Sequence, residues 1–132
     1  MNTRQDYHKP RILVIDNHAG VITSLACILP TFGYSVLTTS DGRAGVGVIT
    51  RGEVDLLLLE FHMPIFSGLN VLEALNANPM TRHFPVIVMS GRVTPYVLGR
   101  SIAAGARDVI SKPFDLEILQ STIAQQLQAR VV

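Results

Sequence analysis

The stretch DLLLLEFHMPIFSG, residues 55–68, decides how the rest of the chain is read. Leu56 to Leu59 form an all-apolar run bounded by Asp55 and Glu60. That length and composition suit a strand buried on both faces. Met63-Pro64 ends it, because the residue before a proline is pushed out of the helical region. Ser67 stands where a helix N-cap belongs, ahead of Gly68, Val71, Leu72 and Leu75 at helical spacing. The pattern delivers the carboxylate of Glu60 to the C-terminal end of a central strand, at the mouth of a strand-to-helix loop.

Upstream, residues 1–10 are polar and read as a tail, and residues 11–130 as one domain. Arg11 to Asp16 (RILVID) is a first strand, rich in β-branched residues and closing on an acid. A short loop from Asn17 to Gly20 leads into a helix running to about Phe32, with Val21, Ile22, Leu25, Ile28, Leu29 and Phe32 as its apolar stripe. Cys27 falls on the opposite side, a bystander position, and Pro30 should bend or shorten the last turn. Gly33 ends the helix and Tyr34 to Thr38 is a second strand. Asp41-Gly42 opens a weak helix carrying Gly45 and Gly47 and stopping near Gly52; each glycine costs roughly 1 kcal/mol against alanine.

Downstream, Asn76 to Phe84 is a loop and Pro85 to Ser90 (PVIVMS) a fourth strand. Thr94-Pro95 reads as an N-cap followed by proline at the first helical position, opening a helix that buries Leu98, Ile102 and Ala106 and ends near Gly105. Asp108 to Ser111 is a short fifth strand, stopped by Lys112-Pro113. Asp115 caps a last helix with Leu116, Leu119, Ile123 and Leu127 on its inner face. Five strands alternating with five helices call for an α/β fold, a doubly wound parallel sheet covered on both faces.

Composition narrows the function classes. The 132 residues are 48% hydrophobic and 16% charged, which suits one packed domain. No apolar run reaches the ~18 residues of a membrane span, and the first residues, MNTRQDYHKPR, lack the apolar segment of a secretory signal. One cysteine allows no internal disulfide and fits a reducing, cytoplasmic setting. A net charge of +1 without a basic cluster, and no tryptophan, argue against nucleic-acid binding. Neither a dinucleotide fingerprint nor a P-loop is present.

In such a sheet, functional groups gather at the C-terminal strand ends. Those ends carry Asp16 and Asn17, then Glu60, Ser90 and Lys112. Any one of them is accounted for by contact with water. As a set they are two carboxylates, an amide, a hydroxyl and an ammonium on one edge: oxygen ligands that suit Mg²⁺, and a lysine and hydroxyl that suit a phosphoryl group.

With VIDN at 14–17, DLLLLEFHMPIFSG at 55–68, MSG at 89–91 and GARDVISKPF at 105–114, the chain from about Arg11 to Leu127 resembles the receiver domain of two-component response regulators, with the CheY-like, flavodoxin-type fold. The resemblance implies strand order 2-1-3-4-5 and a cis peptide before Pro113. It makes Glu60 the equivalent of the phosphoacceptor, which takes its phosphoryl group from a histidine kinase. Asp16, Asn17, Glu60 and the backbone carbonyl of His62 become the Mg²⁺ ligands, Ser90 and Lys112 the phosphate contacts, and Val109 the position of the switch aromatic. It further implies a non-enzymatic signalling module whose partners are a histidine kinase, an output domain or another signalling protein. The face of the fourth helix, fifth strand and fifth helix would bind partners or a second copy, with Tyr96 as an anchor.

Three departures from that pattern bear on function. The acceptor position holds Glu60 where an aspartate is usual, and in-line transfer tolerates little misplacement of the reacting atoms. Asn17 replaces one acid, so Mg²⁺ binding should weaken and no cofactor is required. Val109 removes the switch aromatic. Glu60 then either mimics the phosphorylated state by pairing with Lys112 and Ser90, or forms a structural ion pair with Lys112 in an eroded site. Both accounts imply an atypical, pseudo-receiver module that works without phosphate. The alternatives are a working Mg²⁺-dependent receiver and, more remotely, a flavodoxin-like cofactor domain. His62 and His18 read as loop histidines in water, although His18 stands where the family often has a further acid and would add positive charge at low pH.

Overall fold

Five short strands take up the apolar runs: β1 (Arg11–Ile15), β2 (Ser35–Thr39), β3 (Leu56–Glu60), β4 (Val86–Ser90) and β5 (Asp108–Ser111). In the computed structural model, which describes residues 9–129, they form one parallel sheet in the order β2-β1-β3-β4-β5. The order is the expected one. Of the expected tail, residues 1–8 lie outside the described residues. The second strand sits one residue later than its composition suggested.

The central strand explains the leucine run. Every residue of β3 is buried, and Leu56 to Leu59 are fully enclosed. Side chains alternate across the sheet. Leu57 and Leu59 join Leu13, Ile15, Val71 and Val88 in one core, while Leu56 and Leu58 join Ile12, Val14, Leu25 and Ile123 in the other. Each buried leucine is worth roughly 1.5–3 kcal/mol.

The helices are α1 (Ala19–Ile28), α2 (Gly42–Thr50), α3 (Gly68–Ala77), α4 (Pro95–Ala103) and α5 (Leu116–Ala129). Leu25 of α1 and Leu119 of α5 enter one core; Ile49 of α2, Val71 of α3 and Val97 of α4 enter the other. Pro30 does shorten its helix: α1 gives way to a 3-10 turn over Leu29–Phe32, closed by Gly33 at φ 95°, whose N–H donates to the carbonyls of Leu29 and Pro30. The caps fall where the sequence puts them. Asp41 accepts from the Arg43 N–H, Thr94 from Val97 and Asp115 from Ile118, and Ser67 with Asn70 forms a reciprocal capping box.

Two inner faces differ from expectation. On α4, Leu98 and Ile102 are about half exposed, and Val97 and Ser101 are buried instead. Hydrophobicity selects the larger side chains, whereas the helix approaches the sheet through two smaller ones a single turn apart. On α5, Leu116 is 49% exposed, while Leu119, Thr122 and Ile123 are buried. Among the described residues, no helix is long and apolar enough to cross a membrane.

Candidate functional site

Because the strands are parallel, their carboxyl ends share one edge of the sheet. The chain runs outward in opposite directions from β1 and β3, so the crevice lies between those strands. Backbone pairing extends past the strand ends and holds the site residues in place. The Asp16 N–H donates to the Thr39 carbonyl, that of Phe61 to Met89, and that of Lys112 to Ser90 at 2.8 Å. The Lys112–Pro113 peptide is cis, as the resemblance implied.

Asp16, Glu60 and Lys112 meet here. The Lys112 ammonium donates to Asp16 Oδ2 at 2.8 Å and to Glu60 Oε1. The Asp16 side chain is fully buried, that of Glu60 3% exposed and that of Lys112 13% exposed. Each carboxylate has a second donor. The His18 N–H donates to Asp16 Oδ1 at 2.8 Å, with His18 Nδ1 3.0 Å from the same oxygen. The His62 N–H donates to Glu60 Oε2 at 2.8 Å. Burial pulls the Lys112 ammonium down, but the hydrogen bonds and charges of Asp16 and Glu60 outweigh it and hold the lysine above its ordinary value of 10.5.

The other sequence-selected residues stand apart from this network. Ser90 is buried, but its hydroxyl donates to the Arg92 carbonyl at 2.8 Å and accepts from the Arg92 N–H at 3.1 Å. Asn17 is exposed on the loop. Val109 is half-buried and packs against the core that holds Val88. Tyr96 is exposed, edge-on to the Phe61 ring at 6.4 Å and beneath the Arg100 guanidinium. His18, read from the sequence as a loop histidine in water, instead turns its N–H and Nδ1 to Asp16 Oδ1. Its place two residues after Asp16 was the available signal, since an Asx-type turn lets a side chain accept the N–H two residues on.

Among the described residues, Asp16, His18 and Glu60 offer donor atoms within 4.8 Å of one another. The arrangement nevertheless does not fit Mg²⁺. All four carboxylate oxygens already accept a protein donor, and the ammonium bridges the two acids. A divalent ion bonded to Asp16 Oδ2 at ~2.1 Å would stand within about 5 Å of a second full positive charge. Above the site an open cleft of about 890 Å³ is walled by Val21, Ile28, Phe114 and Leu116, with Glu60, Lys112 and Arg92 among its polar residues.

A doubly wound sheet with two acids and a lysine at its switch point is the architecture of a two-component signalling domain. The chain belongs to the response regulator receiver domain family, whose model matches residues 12–124. It is 34% identical over 121 residues to the transcriptional regulatory protein PrrA of Mycobacterium tuberculosis, a match covering 92% of this chain and 51% of that protein. The chain thus spans about half the length of that curated relative. Among solved structures, it is similar to the signal receiver domain of a signal transduction histidine kinase from Syntrophus aciditrophicus, with 28% identity and a TM-score of 0.81 over 91% of each chain. A response regulator structure from Chloroflexus aurantiacus superposes with a TM-score of 0.85 at 23% identity, covering 91% of this chain and 99% of the other, a likeness of fold.

Proposed function

We propose that this receiver domain is atypical and signals without phosphorylation, as a cytoplasmic, non-enzymatic module acting through protein contacts. The observation that carries this reading is the state of Glu60. One oxygen is tied to the Lys112 ammonium and the other to the His62 N–H, inside a buried pocket. A nucleophilic carboxylate needs an oxygen free to meet the phosphoryl donor in line. Removing the Lys112 contact would leave a buried charge unpaired, which is strongly unfavourable.

Of the two accounts of Glu60, the structural ion pair is the better supported. Mimicry calls for Ser90 as well as Lys112, and the Ser90 hydroxyl is engaged by Arg92. Val109 supplies no aromatic lever for mimicry to move. Contacts with a partner or a second copy would use the outer faces of α4 and α5 beside edge strand β5, where Tyr96, Leu98, Ile102 and Ile118 are each 46% exposed or more.

The test is treatment with acetyl phosphate or beryllofluoride in the presence of Mg²⁺. We expect no gain of mass and no movement of the amide signals of Ser90 and Val109. Covalent labelling of the wild-type chain would restore the Mg²⁺-dependent receiver reading. The variant Glu60→Asp separates loss of the acceptor from wider erosion, and labelling with switching in that variant would count against an eroded site. A colourless purified protein disposes of the flavodoxin-like alternative.

A further inference from the structure

We infer that Lys112 takes the place of a divalent cation in this site, its ammonium bridging the two acids, so that the domain does not respond to Mg²⁺. The inference deepens the phosphorylation-independent reading and rests on it. Its test uses no phosphoryl donor, so the two fail on different observations.

Three features support it. First, position: the ammonium bridges one oxygen of Asp16 and one of Glu60, the acids from the two strands that flank the crevice. A cation bound to those two oxygens would have to displace the ammonium. Second, the remaining oxygens are already partly satisfied, because the N–H groups of His18 and His62 each donate to one at 2.8 Å and occupy one of its two lone pairs. Third, charge: where the family pattern has a further acid, this chain has Asn17, which is uncharged and exposed. Two carboxylates facing one ammonium leave a single net negative charge, a small attraction for an ion that sheds its water reluctantly. The lysine itself is anchored from behind, since its N–H donates to the Ser90 carbonyl at the end of β4.

The experiment compares thermal unfolding and amide spectra of three proteins with and without millimolar MgCl₂ or MnCl₂. The wild-type chain should melt at the same temperature in either salt as in EDTA, with no saturable shift of the amides of Asp16, Glu60 or His62. Lys112→Met leaves two buried acids side by side. It should melt lower by about 10 °C or more in EDTA, and Mg²⁺ or Mn²⁺ should recover at least half of that loss. The double variant Glu60→Gln/Lys112→Met removes one charge of each sign; it should fold and ignore the metal. Saturable Mg²⁺ binding by the wild-type chain at millimolar concentration overturns the inference. It is equally overturned if the double variant folds while Lys112→Met gains nothing from either ion.

Discussion

Glu60 owes its position to a residue with no side chain. Gly68 opens α3 directly against the backbone at the end of β3, and its N–H donates to the Phe61 carbonyl at 3.1 Å. A Cβ at that position would lie 2.3 Å from the Glu60 carbonyl oxygen and 2.8 Å from the Phe61 Cα. Both are backbone atoms and cannot rotate aside. Gly68→Ala is therefore expected to cost about 1–3 kcal/mol in urea denaturation, and to shift the amides of Glu60 to His62 in NMR spectra. An alanine variant as stable as the wild type would show that the contact yields easily. A few residues earlier, Ile65 holds φ at 69° with its side chain 94% exposed, an unusual conformation for a β-branched residue. Nothing in the sequence signals it.

Among the elements, α4 best separates pattern from packing. Thr94 and Pro95 locate its start in both sequence and structure. Its rotation about its own axis is another matter. Leu98 and Ile102 face outward, and the turn formed by Val97 and Ser101 faces in, with the Ser101 hydroxyl making no hydrogen bond among the described residues. Leu98→Ser and Ile102→Ser should each leave stability within about 0.5 kcal/mol of the wild type. Val97→Ala should cost about 2 kcal/mol through lost burial and a residual cavity. Chemical denaturation of the three variants decides the orientation, and a Leu98→Ser cost equal to that of Val97→Ala would reverse it. The glycine-bearing α2 likewise has a packing reason for one of its weak residues. A Cβ on Gly45 would stand 2.3 Å from the Ile15 side chain, so the glycine lets α2 lie close to β1.

At the scale of the molecule, Lys112 ties the last strand to the first and the third, across 96 and 52 residues of sequence. That makes it a global contact with a defined pH dependence. Its value is raised in the folded state, against the pull of burial, by the hydrogen bonds and charges of the two acids. A raised value means that the stabilisation is complete below the unfolded lysine value of about 10.5 and is lost as pH rises through the folded value. Tyr34, raised by burial above 10.0, pushes in the same direction. Melting temperatures measured from neutral pH upward should show no loss from these two groups until about pH 10, and a steep fall beyond it. In Lys112→Met the lysine's share of that alkaline fall should disappear.

The sequence by itself determined the strand count, the parallel sheet and the caps, because each rests on local signals, while the strand order came through the family resemblance carried by motifs spread along the chain. Leu56 to Leu59 require burial on both faces, Ser67 and Thr94 cap the turns that follow them, and Pro30 and Gly33 stop a helix wherever it packs. It also brought Asp16, Glu60 and Lys112 to one edge, since parallel strands end together. Only the tertiary structure decided which hydrogen bonds those groups make. Ser90 turned to the Arg92 backbone, His18 and His62 supplied backbone donors, and the ammonium settled between the two acids. The helix faces on α4 and α5 belong to the same category. A side chain's partner depends on distances of a few tenths of an ångström between strands far apart in the chain, and such distances are set by the packing of the whole.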